Sequence, residues 1–235
     1  MRLIILGSGT SFGLPQIGCD CRVCTSSDPR DSRTRAAALI EVGETRVLID
    51  TPPELRLQLL SANINTVDAV FYTHDHADHV HGIDDLRSIS MRRGPLPVYG
   101  RPETLAEITE RFSYIFDRSV VPPRGTSKPE LIAVPAMPAQ PVSIGELTVL
   151  PLELDHGRRT ILGFRVGDLA YLTDVKSVPD DTAHLLRDLR VLVVSALLDR
   201  SHPTHFSIDE AIDFATRVGA QRTLLTHLTH RHTHE

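Results

Sequence analysis

Tryptophan is absent from these 235 residues and aromatic residues make up only 5%. A core must therefore be built from Val, Leu, Ile and Ala, which a hydrophobic content of 41% supplies. No apolar run approaches the roughly 18 residues a bilayer span needs, so no membrane partner is expected. Positive charge is also short. With 25 Lys and Arg against 30 Asp and Glu, the net charge is -5, and nucleic acid is disfavoured as a partner because phosphate-neutralising binders need a basic excess. Cysteine is scarce and odd in number: three, all between positions 19 and 24. Such a set makes a poor disulfide framework. With no signal peptide read in Met1-Arg2-Leu3-Ile4-Ile5-Leu6, the expected location is cytoplasmic. The length suits one sizeable domain, and 1–235 is read as one, with an irregular cysteine loop at about 15–35.

The pattern of what is present is α/β. Arg2–Leu6 reads as a strand that ends in a Gly/Ser/Thr loop from Gly7 to Gly13, which lacks the Lys of a phosphate-binding loop. Ala36–Val42 and Thr45–Ile49 read as a hairpin around Gly43-Glu44. Pro52-Pro53 opens a helix with Leu55, Leu59 and Ala62 on one face. Ala69–Tyr72, Pro97–Tyr99, Leu147–Leu152, Ile161–Val166, Leu169–Leu172, Arg190–Ala196 and Thr223–Thr226 read as strands. Helices are expected at Ile83–Ser90, Glu103–Phe116, Thr182–Leu189 and Ile208–Val218, and a long loop at 118–130. A two-layer sheet core with helices outside fits this order.

The chemistry begins where the strand Ala69–Tyr72 runs into Thr73-His74-Asp75-His76-Ala77-Asp78-His79. Histidines two apart in extended backbone project to one side, so His74 and His76 can reach one ion. Asp78 and His79, in the turn that follows, can reach a second. Imidazole and carboxylate together suit Zn or Mn, and Fe is also admitted. The competing reading is a polar loop that is rich in titratable residues by chance, but four ligand residues in six positions directly after an apolar strand argue against it. A second cluster, Cys19-Asp20-Cys21-Arg22-Val23-Cys24, has the form C-x-C-x-x-C. Thiolates this close repel unless a cation neutralises them, and zinc would do so with a fourth ligand. The alternative is three free thiols.

His-x-His-x-Asp-His after a strand resembles the signature of the metallo-β-lactamase superfamily. That resemblance implies a single-domain αββα sandwich and three further ligands at later strand ends: His156, Asp174 as a bridge between two divalent metals, and His227. The cysteine cluster, with Gly7-Ser8-Gly9-Thr10, Ile49-Asp50-Thr51, Thr173-Asp174 and His202-Pro203-Thr204-His205, is similar to the PhnP-type phosphodiesterases over most of the chain. That group implies one structural zinc on Cys19, Cys21, Cys24 and His230, three residues beyond His227. It also implies that His205 is not a ligand but protonates a leaving oxygen or holds a phosphate oxygen; a helix cap is the plainer role for it. The stretch from Glu103 to Gln140 is longer than in that group. Asp50 is expected to orient the histidine loop, or else to be an exposed turn residue.

The implied activity is a dinuclear metal-dependent hydrolase for small phosphodiesters, cyclic ones among them. A hydroxide bridging the metals attacks phosphorus, Asp78 belongs to the catalytic set, and His205 is the general acid. The rivals are a tRNA 3′-processing-type nuclease, a thioester or lactone hydrolase on the same fold, and a zinc-stabilised binding module without catalysis. A homodimer is one candidate assembly.

Overall fold

The hairpin at Gly43-Glu44 pairs β2 (Ala37–Val42) with β3 (Thr45–Ile49), and Gly43 takes the left-handed φ of 54° that the tight turn requires. The computed structural model describes residues 1–235. With β1 (Arg2–Gly7), β4 (Ala69–Phe71), β5 (Leu96–Gly100) and β6 (Leu131–Pro135), these strands make a mixed six-stranded sheet in the order β1-β2-β3-β4-β5-β6. A second mixed sheet has the order β12-β11-β10-β9-β8-β7. Its strands are β7 (Val142–Ile144), β8 (Leu147–His156), β9 (Arg159–Val166), β10 (Leu169–Leu172), β11 (Val191–Ser195) and β12 (Arg222–Thr226). The chain divides into two compact units: Met1–Leu6, Ala37–Met137 and Ser143–Leu147 form the first, and Gly7–Ala36, Pro138–Val142 and Thr148–Glu235 the second.

In the first unit, β3, β4, β5 and β6 run parallel, which requires helical crossovers between them. These are α1 (Leu55–Ser61), α2 (Ala77–Val80), α3 (Arg87–Arg93), α4 (Pro102–Arg111) and α5 (Ser113–Phe116). Leu55, Leu59, Ile89, Leu105 and Ile108 from these helices pack on Leu39, Leu48, Val70 and Val98 of the sheet. Each side chain so buried stabilises by about 1.5–3 kcal/mol relative to exposure.

In the second unit, β8, β9 and β10 alternate in direction, while β10, β11 and β12 are parallel. β11 has parallel neighbours on both sides, which explains its nearly unbroken apolar run Val191-Leu192-Val193-Val194. α6 (Asp180–Ala183) and α7 (Ile208–Val218) complete this unit. α7 starts on a capping box: the Ser207 side chain accepts from the Glu210 amide, and the Glu210 side chain accepts from the Ser207 amide. It ends on Gly219 at φ 70°.

Three expectations about elements need revision. The helix expected at Glu103–Phe116 is two helices, broken at Phe112 (φ -112°, ψ 40°), whose ring packs against the first core. The helix expected at Ile83–Ser90 is a 3-10 turn over Ile83–Leu86 followed by α3. The helix expected at Thr182–Leu189 is the short α6 and a 3-10 turn over His184–Leu186. β6 and β7 arise in stretches to which the sequence pattern assigns no element; β6 carries Pro135 at its end, and its ladder with β5 supplies order that local sequence does not signal.

Candidate metal centres

β3 and β4 are parallel neighbours, so their carboxyl ends fall side by side. β3 delivers Asp50 there, and β4 delivers Thr73 and His74. Asp50 turns out of the strand in the left-handed region, φ 63°, with no exposed surface. Its carboxylate accepts from the Thr73 amide (2.9 Å), the Thr73 hydroxyl (2.9 Å) and Nδ1 of His79 (2.7 Å). Burial pushes this carboxyl up against the pull of His79 and Thr73. With Nδ1 of His79 donating to Asp50, Nε2 is its lone-pair nitrogen, 3.3 Å from Oδ2 of Asp78.

The same logic fixes His74. The Thr73 hydroxyl proton goes to Asp50, so Nδ1 of His74 donates to Thr73 Oγ1 at 2.9 Å and Nε2 carries the lone pair. That Nε2 lies 3.0 Å from Nδ1 of His76. Two nitrogens about 2.0–2.1 Å from one ion stand about 2.9–3.4 Å apart, so the pair fits a shared cation. The loop is clipped in place: Thr51 N–H donates to the His79 carbonyl (2.7 Å), and Gly82 N–H to the Thr51 carbonyl (2.8 Å). A Cβ on Gly82 would lie 2.1 Å from the Pro52 carbonyl oxygen, so only glycine lets the two segments approach. From α4, Arg111 Nη1 donates to the Asp75 carbonyl at 2.6 Å, and its Nη2 lies 3.4 Å from Asp75 Oδ2.

In the second unit, β9 is antiparallel to both β8 and β10, so β8, β10 and β12 all point one way. Their carboxyl ends carry His156, Asp174 and His227. Asp174 and His227 are both left-handed, at φ 58°. Nδ1 of His156 lies 2.7 Å from the Asp174 carbonyl oxygen and 2.8 Å from that of Thr204. Carbonyls only accept, so Nδ1 holds the proton and Nε2 the lone pair. The Thr173 hydroxyl donates to Asp174 Oδ1 at 2.6 Å, and the same oxygen is 3.3 Å from Nδ1 of His227.

His205 stands beside them, its Nδ1 3.9 Å from Asp174 Oδ2 and its ring stacked on His227 at 5.0 Å. His156, Asp174 and His205 each offer a ligand atom within 4.8 Å of the others. Nδ1 of His205 is buried with no hydrogen-bond partner. Burial pushes this imidazole down to about 3 against the upward pull of Asp174, so it is neutral at pH 7. A buried polar nitrogen without a hydrogen-bond partner is costly, and here it faces the Asp174 carboxylate at 3.9 Å. The helix cap is supplied by Ser207 and not by His205.

The cysteine loop belongs to this unit as well. Sγ atoms of Cys19, Cys21 and Cys24 lie 3.2, 3.8 and 3.5 Å from Nδ1 of His230. In a tetrahedral zinc site, S at about 2.3 Å and N at about 2.0–2.1 Å stand about 3.6 Å apart, so the donors fit zinc. The Cys24 amide draws the Cys21 thiol below its ordinary value, and burial pushes the Cys24 thiol up. All three cysteines are free of disulfides.

Residues 45–228 match the model of the beta-lactamase superfamily domain. The chain belongs to the metallo-β-lactamase superfamily. Two mixed sheets with flanking helices are the components of the αββα fold of that superfamily. A crystal structure of a new diphosphatase from the PhnP family is 38% identical, with a TM-score of 0.91, over 99% of this chain and 88% of that one, which places the chain close to PhnP within the superfamily. An octanoyltransferase of Porphyromonas gingivalis is 43% identical over 98% of this chain but 46% of its own length. Coenzyme PQQ synthesis protein B of Rhodopseudomonas palustris is 30% identical over 53% of this chain and 44% of its own. The chain thus spans about half the length of the curated relatives it matches. No helix is long and apolar enough to cross a membrane.

The structure also places the other histidines. His202 lies 5.3 Å from the His205 ring and His81 sits edge-on to Phe112. His184 accepts from Arg187. The His234 amide is tied to Asp31 and the His232 carbonyl to Arg33, which anchors the His-rich tail on the cysteine loop. Sequence reasoning gave no role to Thr73, Thr173, Arg111 or Gly82. Their roles depend on what lies opposite them in space, although Thr before both His74 and Asp174 is a repeated signal.

Proposed function

We propose that this chain is a phosphodiesterase for small phosphodiesters, cyclic ones among them, that works with a pair of divalent ions. In this reading His74, His76, Asp78, His79, His156, Asp174 and His227 would hold those ions. Zn or Mn suits the donors, and Fe is admitted. The cluster of His156, Asp174 and His205 carries the reading: two ligand types with a buried, neutral histidine beside them.

When bound, such a pair of ions supplies a nucleophile from water at neutral pH and neutralises phosphate oxygens. The residues do the rest. Asp50 holds the proton of His79 on Nδ1, and the carbonyls of Asp174 and Thr204 do the same for His156, so each Nε2 presents its lone pair. A neutral His205 donates one N–H to a phosphate oxygen. An anionic diester beside it raises its proton affinity, so that the imidazole takes up a proton from water and passes it to the leaving oxygen, returning to its neutral form. The relative named a diphosphatase supports phosphorus as the electrophile. Each phosphorus of a doubly esterified diphosphate carries one negative charge and two bridging oxygens, as a phosphodiester does. The transferase name belongs to a protein of which this chain matches 46%. The net charge favours a small substrate over RNA, and a thiol-ligated zinc suits the cytoplasm.

The test is metal analysis with a substrate panel on wild type and His205→Ala. The panel holds bis(p-nitrophenyl) phosphate, a cyclic ribose phosphate, a doubly esterified diphosphate, an octanoyl thioester and a lactone. About three metals per chain, phosphodiester turnover, and a loss of about 10²–10⁴ in kcat for His205→Ala with unchanged metal content are expected. Turnover of the thioester or lactone alone would overturn the proposal.

A further inference from the structure

Outside the ligand sets, the molecule holds one cation that is almost fully buried: Arg33, with 5% of its side chain exposed. It sits on the cysteine loop and faces the last residues of the chain. Nη1 donates to the Thr229 carbonyl at 3.4 Å and Nη2 to the His232 carbonyl at 3.1 Å. Asp31, equally buried, is 3.7 Å from Nη2 and accepts from the His234 amide at 2.6 Å. The backbone continues the grip. Leu228 N–H donates to the Ser8 carbonyl and Thr10 N–H to the Leu228 carbonyl. Gly9 N–H reaches the Thr34 carbonyl, and a Cβ there would lie 2.5 Å from the Arg33 carbonyl oxygen.

The gripped segment is short and carries two ligands of different centres. His227 leaves β12 in the strained left-handed region, and His230 reaches the three cysteine sulfurs three residues later. Burying an arginine is costly unless its donors are satisfied, and here backbone carbonyls on both sides of His230 satisfy them. We infer that Arg33 is a positioning residue: its clamp on Thr229 and His232 sets the pitch of Thr226–His230, so that zinc retention at the cysteines and metal binding through His227 depend on the same side chain. This rests on the reading of both ligand sets given above.

The experiment uses full-length wild type, Arg33→Met and Arg33→Lys, loaded with zinc. Three quantities are read: zinc per chain, the rate of zinc release to a colorimetric chelator, and kcat and KM for bis(p-nitrophenyl) phosphate. Thermal melting certifies that each variant is folded. Arg33→Met should release both the cysteine-bound and the active-site zinc about 10–100-fold faster. Its kcat at limiting zinc should fall while KM stays within about twofold, because substrate does not touch Arg33. Arg33→Lys, which keeps the charge but can reach fewer carbonyls at once, should fall between and report if Arg33→Met does not fold. A variant that melts lower yet releases both zinc pools at the wild-type rate shows a merely structural role and overturns the inference. Faster release from the cysteine pool alone overturns the coupling. Absence of cysteine-bound zinc in wild type overturns the ligand reading itself, a failure visible before any variant is made.

Discussion

Asp50 shows how much a single residue decides. It touches His79 directly and His74 through the Thr73 hydroxyl, so one carboxylate fixes two ring tautomers. Asp50→Asn keeps the shape but offers an amide where an acceptor pair is needed. Metal affinity should fall about 10–100-fold, read by zinc titration against a chelator, with the fold retained by circular dichroism. Arg111 acts from outside on the same loop through the Asp75 carbonyl. Arg111→Met should weaken zinc binding less than Asp50→Asn does, since it loosens the backbone between His74 and His76 without altering either ring. A result in the opposite order would mean that the loop conformation, and not the tautomer, limits binding.

At the scale of elements, the centres sit where parallel strands end. Asp50, Asp174 and His227 all leave their strands in the left-handed region, which turns each side chain sharply out of the sheet. Such backbone costs of order 1–3 kcal/mol per residue and persists only where neighbours over-determine it. Gly82→Ala would push the backbone at position 82 away from the Pro52 carbonyl; a loss of about 1–3 kcal/mol in denaturant unfolding is expected, together with weaker metal binding. α7 follows His205 directly, and its capping box anchors that turn. Ser207→Ala should cost about 1 kcal/mol.

Glu210, in the same box, also pairs with Lys176. Burial raises its carboxyl, but the Ser207 amide, Lys176 and Ser201 overcome that and hold it below the ordinary value. Its contribution is therefore present above the unfolded carboxyl range, near 4.5, and is lost as pH falls through the lower folded value. Glu210→Gln should destabilise by about 0.5 kcal/mol at pH 7, and the difference should shrink as pH falls through the lowered folded value and the wild-type side chain takes up its proton. A difference that does not change with pH would show that geometry, and not charge, matters there.

For the whole molecule, metal removal is the broadest probe. Ions that bind the folded chain and not the unfolded one add stability by mass action, so chelator should lower the melting temperature and zinc should restore it. Differential scanning fluorimetry with and without chelator reads this directly. A melting temperature indifferent to chelator would contradict the two ligand centres.

Much of this was legible along the chain. The histidine motif, the cysteine cluster and the buried strand β11 are local patterns: a spacing of two, a C-x-C-x-x-C run, a β-branched stretch. His156, Asp174, His227 and His230 were legible only through a family resemblance, because each is a single residue that ordinary composition would not single out. The break at Phe112 was not legible, since the apolar stripe continues across it. Nor were β6 and β7, whose order comes from partner strands and not from their own residues.

The sequence by itself determined which chemistries are available: ligand types, their spacing, and a core of branched aliphatics with little aromatic content. Only the tertiary structure decided which nitrogen of each histidine carries the lone pair, which threonine and aspartate hold it so, and that Arg33 grips the tail beside His230. Those choices depend on groups brought together from distant positions, Asp50 with His79 or Arg33 with Thr229 and His232, and hydrogen-bond partnership is settled by distance in space, which no local pattern encodes.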